Sequence, residues 1–415
     1  MKNPGRPLRS GLALASVAAL GLILLHGPAA FAAEPSPAAS YGMRTELREV
    51  FAPDGSITRQ PIAVPAVDTP APDSAVAAAA VTPIINNGDP ATHLDLVIVG
   101  DGYTSTQLGT YDSHVRSKVN ELFAVEPFAS YKSLFNVWKV DVVSSQSGVD
   151  HDPYGTYRNT ALDMYFYCGG TARLLCVNES KANQYARQAP DVDQVVALAN
   201  TTTYGGAGGG VATAAGGNAS AGQIVVHELG HSIGGLADEY DYGGGTNYTG
   251  AELREANASI YTRATMVSRQ TKWWRWMGQS TPDGGVIDTF NGCRYYTNGI
   301  YRPSSNSIMR TLGRQFNLPG RERMIASFYA KATIASSEKA LEVLVPQGIE
   351  TIDISWTVDG REVTPARGAT TLDRASLTAF GSGGHEVTVT VTDRTEWVRD
   401  PALLAGLTGT FTWRI

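Results

Sequence analysis

The sequence predicts a mixed α/β (α+β) domain followed by a C-terminal all-β sandwich. Three observations carry this expectation. Apolar strand-like runs alternate with helical segments between Leu94 and Asn200, and a glycine-rich loop then leads into an apolar helix start at Ile224-Val225-Val226. From Ser336 to Ile415, apolar residues alternate with period two instead.

Residues 1 to 32 read as a secretory signal. Lys2, Arg6 and Arg9 come first, the 15-residue run GLALASVAALGLILL follows, and Ala30-Phe31-Ala32 supplies a small-x-small cleavage site. An exported, extracellular protein is expected. The run is shorter than the roughly 20 residues a spanning helix needs, and no later stretch qualifies, so no membrane span is expected. Removing this segment takes the formal charge from -6 to -9. An acidic chain has no electrostatic reason to bind nucleic acid.

Residues 33 to 90 are rich in alanine and proline, a composition with little to bury that reads as a linker or propeptide. One island from Tyr41 to Val64 carries TELREVF, the Asp54-Gly55 turn signal and SITRQPIAV, and suits a strand pair docked elsewhere. No cysteine occurs there, which rules out cysteine-based latency.

The mixed domain is assigned to residues 91 to 335. LDLVIVG, Leu94 to Gly100, has the continuous apolar character of a buried strand, and Asp101-Gly102-Tyr103 ends it. Tyr111 to Phe123 is helical in pattern, Phe135 to Ser145 alternates like a strand, and Val195 to Asn200 is a third strand. The glycines from Gly205 to Gly210 form a loop, either merely flexible or offering backbone to an extended substrate. It is no phosphate cradle, since no lysine-serine or lysine-threonine pair follows. Gly320 to Ala335 closes the domain as an amphipathic helix.

The chemistry concentrates in residues 227 to 240, HELGHSIGGLADEY, which contain HExxH. On a helix His227 and His231 share a face, so two imidazoles can reach one metal ion with Glu228 beside them. Only seven histidines occur in 415 residues, and two fall at this spacing directly after an apolar run. Zinc takes imidazole readily, and a catalytic site needs three protein ligands and one position for water. On a continuous helix Asp238 would lie about 10 Å beyond His231, too far to share the ion. Gly234-Gly235 can end the helix and turn the chain back. Asp238 or Glu239 then completes the set; Asp238 is preferred because it follows the turn sooner, and the other carboxylate can orient a ligating histidine. Imidazole and carboxylate also suit other divalent ions.

This stretch resembles the signature of the IgA-peptidase family of secreted zinc metallopeptidases, peptidase family sixty-four, which is metzincin-like. Gly234 occupies the glycine of the metzincin pattern HExxHxxGxxH, Ala237 stands where its third histidine would be, and the resemblance implies that a carboxylate of the Asp-Glu pair replaces it. Ser307-Ile308-Met309-Arg310 resembles the methionine turn, with Met309 supporting the site from beneath. VIVGDGYT, the run from Pro127 to Val140, and Ser147 to Asp150 also look like family segments, so the resemblance covers roughly Leu94 to Lys331. It implies a metzincin-like catalytic domain whose upper strand binds extended peptide above the zinc. It also implies a tyrosine near the methionine turn as oxyanion stabiliser, for which Tyr295, Tyr296 and Tyr301 are candidates. The family's cysteines around that turn are replaced here by Ser307 and Asn317.

Cys168 and Cys176 are expected to form a local disulfide in an oxidising compartment, which leaves Cys293 as a buried thiol or as partner to either. Trp273, Trp274 and Trp276 read as core or lid packing rather than a binding platform. Residues 336 to 415 read as an immunoglobulin-like sandwich: Ile352, Ile354, Trp356 and Val358 alternate, as do Val387, Val389 and Val391, and Phe411, Trp413 and Ile415 close the set.

The expectation is a monomeric secreted endopeptidase with one Zn2+, in which a zinc-activated water attacks a polypeptide substrate with Glu228 as general base. Two other readings fit the residues: a cell-wall or glycan-binding protein with a structural zinc site, and a zinc amidase acting on peptidoglycan.

Overall fold

In the computed structural model, which describes residues 43–65, 76–151 and 155–415, the first element is a hairpin of β1 (Met43–Phe51) and β2 (Ile57–Pro65). The strands pair antiparallel from Met43↔Pro65 to Phe51↔Ile57 around the Asp54-Gly55 turn. The expected leader, residues 1 to 32, lies outside the described residues.

A six-stranded sheet follows. It comprises β3 (Val81–Ile85), β4 (Leu94–Asp101), β5 (Phe135–Val140), β6 (Gln194–Ala199), β7 (Gly206–Ala207) and β8 (Ala212–Ala215). The spatial order is β3-β5-β4-β6-β8-β7; the outer strands β3 and β7 pair antiparallel and the inner ones parallel. β4 is buried at every position, Asp95 and Asp101 included, as the apolar run from Leu96 to Gly100 leads one to expect of a central strand. β3 lies within the segment expected to be linker, so the sheet begins ahead of Thr92. Its Pro83 is tolerated because the strand is an edge.

Helices cover both faces. α1 (Leu108–Leu122) and α3 (Gly222–Ser232) share a core with Leu96 and Ile98, whereas α2 (Glu179–Ala186) shares the opposite core with Val97 and Val99. The two faces of β4 are therefore served by alternate residues of one strand. Beyond α3 come a small antiparallel pair, β9 (Phe290–Cys293) and β10 (Tyr296–Arg302), and then α4 (Leu318–Lys331). Trp273 and Trp276 are buried with Met266 and Ile287, in keeping with a packing role.

The C-terminal strands β11 (Ile352–Val358), β12 (Arg361–Glu362), β13 (Glu386–Asp393) and β14 (Thr408–Arg414) form one antiparallel sheet in the order β12-β11-β13-β14. A single sheet thus stands where two facing sheets were expected. Its buried face, Ile354, Trp356, Val358, Val387, Val389 and Val391, belongs to the same core as α4 and β4. Asp393 ties the two regions: its carboxylate accepts from Tyr131 Oη at 2.8 Å and Tyr329 Oη at 3.0 Å, all three residues being buried.

Removing this shared acceptor leaves two buried hydroxyls without a partner. Asp393→Ala is expected to cost about 3 kcal/mol in urea unfolding, and pairing it with Tyr131→Phe and Tyr329→Phe should recover part of the loss.

Candidate metal centre

The centre is built on the helix whose spacing marks it. α3 is buried from Ile224 to Gly230 and carries His227, Glu228 and His231. Gly235, at φ +57°, caps it in the left-handed conformation, and its N–H donates to His231 O at 2.9 Å. The chain then reverses, and Asp238 returns to the two histidines.

Four ligand atoms converge, all within 4.8 Å of one another: one each from His227, His231, Asp238 and Glu49. His227 Nε2 and His231 Nε2 are 3.0 Å apart. Asp238 Oδ1 lies 3.5 and 3.2 Å from them, and Glu49 Oε2 lies 3.4 and 3.6 Å from them. A tetrahedral ion with ligand bonds of about 2.0–2.1 Å has ligand-to-ligand edges of about 3.3–3.4 Å. The cluster therefore fits one tetrahedral metal ion.

The surroundings fit it too. His227 Nδ1 donates to Ile308 O at 3.0 Å and His231 Nδ1 donates to Leu236 O at 2.7 Å, because a carbonyl can only accept. Both Nε2 lone pairs are thereby directed inward. Asp238 Oδ1 is buried without a hydrogen-bond partner, whereas its Oδ2 accepts from Tyr295 Oη at 2.5 Å.

Glu239, the other expected carboxylate, faces away from the cluster. It accepts from Ser307 Oγ at 2.8 Å and from Asn317 Nδ2 at 2.9 and 3.0 Å, and Asn257 Nδ2 donates to it at 2.9 Å. Ser307 and Asn317 stand where the family resemblance implies cysteines; here they are joined through this buried carboxylate. Met309 lies under α3, close enough that a Cβ on Gly230 would come within 2.6 Å of its Sδ. Its carbonyl also accepts from Glu239 N at 2.7 Å.

Glu228 is buried beside the cluster, and its Oε1 has no hydrogen-bond partner among the described residues. Burial, with the negative charge of Glu49 added, lifts its carboxyl to about 7. Gly208 makes room for it, since a Cβ there would overlap the Glu228 carboxylate. A cavity of about 460 Å³ opens at this point, lined by Glu228, His231, Asp238, Tyr295 and Arg59 among others. Of the three tyrosines, only Tyr295 lines it. Tyr296 is exposed against Tyr248, and Tyr301 packs with the Trp273 cluster. Cys168 and Cys176 are joined, and Cys293 is a buried free thiol.

Sequence reasoning missed Glu49. It sits on β1, far from α3 in sequence, and no local spacing links it to His227.

Burial alone would lower the His227 pKa, but the Asp238 and Glu49 carboxylates override it and raise it to about 10. His231 shifts the same way for the same reasons. The two carboxylates thus favour protons on the imidazoles, and a metal ion competes with those protons for the same nitrogens. Metal binding is expected to release protons, with affinity rising as pH rises toward 10, as calorimetry in buffers of differing ionisation enthalpy would measure. Asp238→Ala, which leaves the two imidazoles and Glu49, is expected to weaken metal binding, read as faster loss of the ion to a competing chelator. Gly208→Ala should keep the metal while displacing the Glu228 carboxylate, so that activity falls without loss of metal.

No curated protein matches the sequence. The family model described as IgA Peptidase M64 matches residues 82–285, a span that contains α3, Asp238 and the strands β4 to β8. The chain belongs, through that span, to the IgA Peptidase M64 family and is a metallopeptidase hydrolase.

Proposed function

We propose that the protein is a secreted zinc endopeptidase, metzincin-like in its catalytic domain, acting as a single chain on polypeptide. The observation that carries this reading is the convergence of buried His227 and Asp238 with half-buried His231, beside the unpartnered Oε1 of Glu228. The two-imidazole, carboxylate set suits zinc. When bound, zinc would polarise the scissile carbonyl and acidify the attacking water.

The chain's own groups would do the rest. His227, His231 and Asp238 hold the ion, and the carbonyls of Ile308 and Leu236 fix the two imidazole rings. Glu228, buried beside the cluster with an unpartnered Oε1, can take a proton from water and return it to the leaving amine. Tyr295, on the cavity wall with its hydroxyl at Asp238, is the tyrosine best supported as oxyanion stabiliser. β7, at the edge of the sheet, offers backbone groups to an extended polypeptide. Met309 packs beneath without chemistry of its own. Export is supported by the leader pattern of residues 1 to 32 and by the Cys168–Cys176 disulfide, which persists in oxidising compartments. Among the described residues no helix is long and apolar enough to cross a membrane.

The test is hydrolysis of an unfolded generic polypeptide by the zinc-loaded chain, both natural and with Glu49→Gln, which removes the second carboxylate of the cluster. Chelator-sensitive cleavage by either is expected; none from both would overturn the reading. Adding Glu228→Gln should retain the metal and lower the rate by about 10²–10⁴-fold.

A further inference from the structure

Three protein ligands leave one tetrahedral position for water in a hydrolytic centre. Here a fourth protein atom, Glu49 Oε2, stands 3.4 and 3.6 Å from the two Nε2 atoms and within 4.8 Å of the Asp238 ligand atom. We infer that Glu49 is a fourth metal ligand and that the hairpin β1–β2 is an inhibitory segment, holding the centre closed until the hairpin is displaced. This rests on the metallopeptidase reading of the same site.

Glu49 is held in place. Its Oε1 accepts from Tyr240 Oη at 2.5 Å, leaving Oε2 for the cluster. Two residues on, the Phe51 ring meets the His227 ring edge-on at 5.5 Å. Phe51 and Ile57 are buried with Ile224, Tyr240 and Leu312, so the hairpin rests on the first turn of α3 and on the segment after Met309. The backbone is tied as well: Arg173 Nε donates to Phe51 O and Leu312 N donates to Gly55 O, each at 2.9 Å. These contacts describe a docked element and not a passing tail.

The hairpin also covers the substrate side. β1 lies against β7, the sheet's edge, and Arg48 Nη1 donates to Gly208 O at 2.7 Å. That carbonyl is one an extended substrate would need. Glu46, Leu47 and Arg48 line the same cavity as Glu228. One hairpin therefore occupies both the water position and the peptide edge.

A permanently closed structural site would also use four ligands, but two features count against it here. Glu228 remains buried with an unpartnered oxygen, a costly arrangement that a structural site does not require. Among the described residues the hairpin strands pair only with each other, outside the six-stranded sheet and ahead of the span 82–285 that carries the other ligands, so they can leave without breaking that sheet.

The test loads the full chain with cobalt(II) and reads its visible spectrum while acetohydroxamate is added. The natural chain should hold one cobalt and ignore the hydroxamate. Glu49→Gln should hold one cobalt with a shifted spectrum that responds to hydroxamate, and should hydrolyse unfolded polypeptide at least ~10-fold faster than the natural chain, since its competent fraction is no longer limited by Glu49. Tyr240→Phe, which removes only the hydroxyl holding Glu49, should move both readouts part of the way, whereas Thr45→Ala, at an exposed position of the same strand, should move neither. If the natural chain binds hydroxamate as well as Glu49→Gln does, or if Glu49→Gln loses the metal altogether, the inference is overturned. Should the spectra respond as expected while no variant hydrolyses peptide, Glu49 ligation stands and the peptidase reading fails instead.

Discussion

Everything at the centre follows from holding two imidazole Nε2 atoms 3.0 Å apart in a buried place with two carboxylates beside them. Without a cation, such a cluster sets converging lone pairs and negative charges against one another, and the desolvation of each group is unrecovered. With protons on the imidazoles, or a metal ion in their place, the same geometry becomes favourable. The protein must therefore be rigid around the cluster before any ion arrives.

That rigidity comes from three directions. From above, the parallel strands β4, β6 and β8 bury α3 against their apolar face. From behind, the left-handed cap at Gly235 reverses the chain so that one short turn supplies both Asp238 and the carbonyl that orients His231. From below, Ser307, Ile308 and Met309 contact Glu239, His227 and Gly230 in turn. Glu239 is the buried knot of this lower layer. Its burial pushes its carboxyl pKa up, and the donors from Asn257, Ser307 and Asn317 offset that push and hold it in place.

Much of this was legible in the sequence because it is local. His227, Glu228 and His231 are related by helical spacing, and Gly234-Gly235 announces a reversal that only glycine accommodates cheaply. The central strand showed itself as an uninterrupted apolar run. What was not legible is non-local or degenerate. Glu49 reaches the cluster only because a hairpin in an alanine- and proline-rich region folds over α3, and no spacing encodes that contact. β3 was hidden by Pro83, which weakens a strand signal although an edge strand tolerates it. The period-two alternation of residues 352–358 and 386–393 reports one buried face, which a single sheet packed on α4 satisfies as well as a sandwich would. Among the tyrosines, Tyr295 is singled out by its backbone, at φ +76°, which turns it toward Asp238 while its neighbour faces solvent.

The central claim is that one ion is held by two imidazoles and two carboxylates drawn from α3, from the turn after it and from the hairpin. Zinc-edge X-ray absorption on the full natural chain tests this most directly. The account predicts one zinc per chain in a four-coordinate nitrogen and oxygen shell at about 2.0–2.1 Å, with the outer-shell scattering of two imidazoles. A sulfur ligand, a five- or six-coordinate shell dominated by water, or a single imidazole would contradict it.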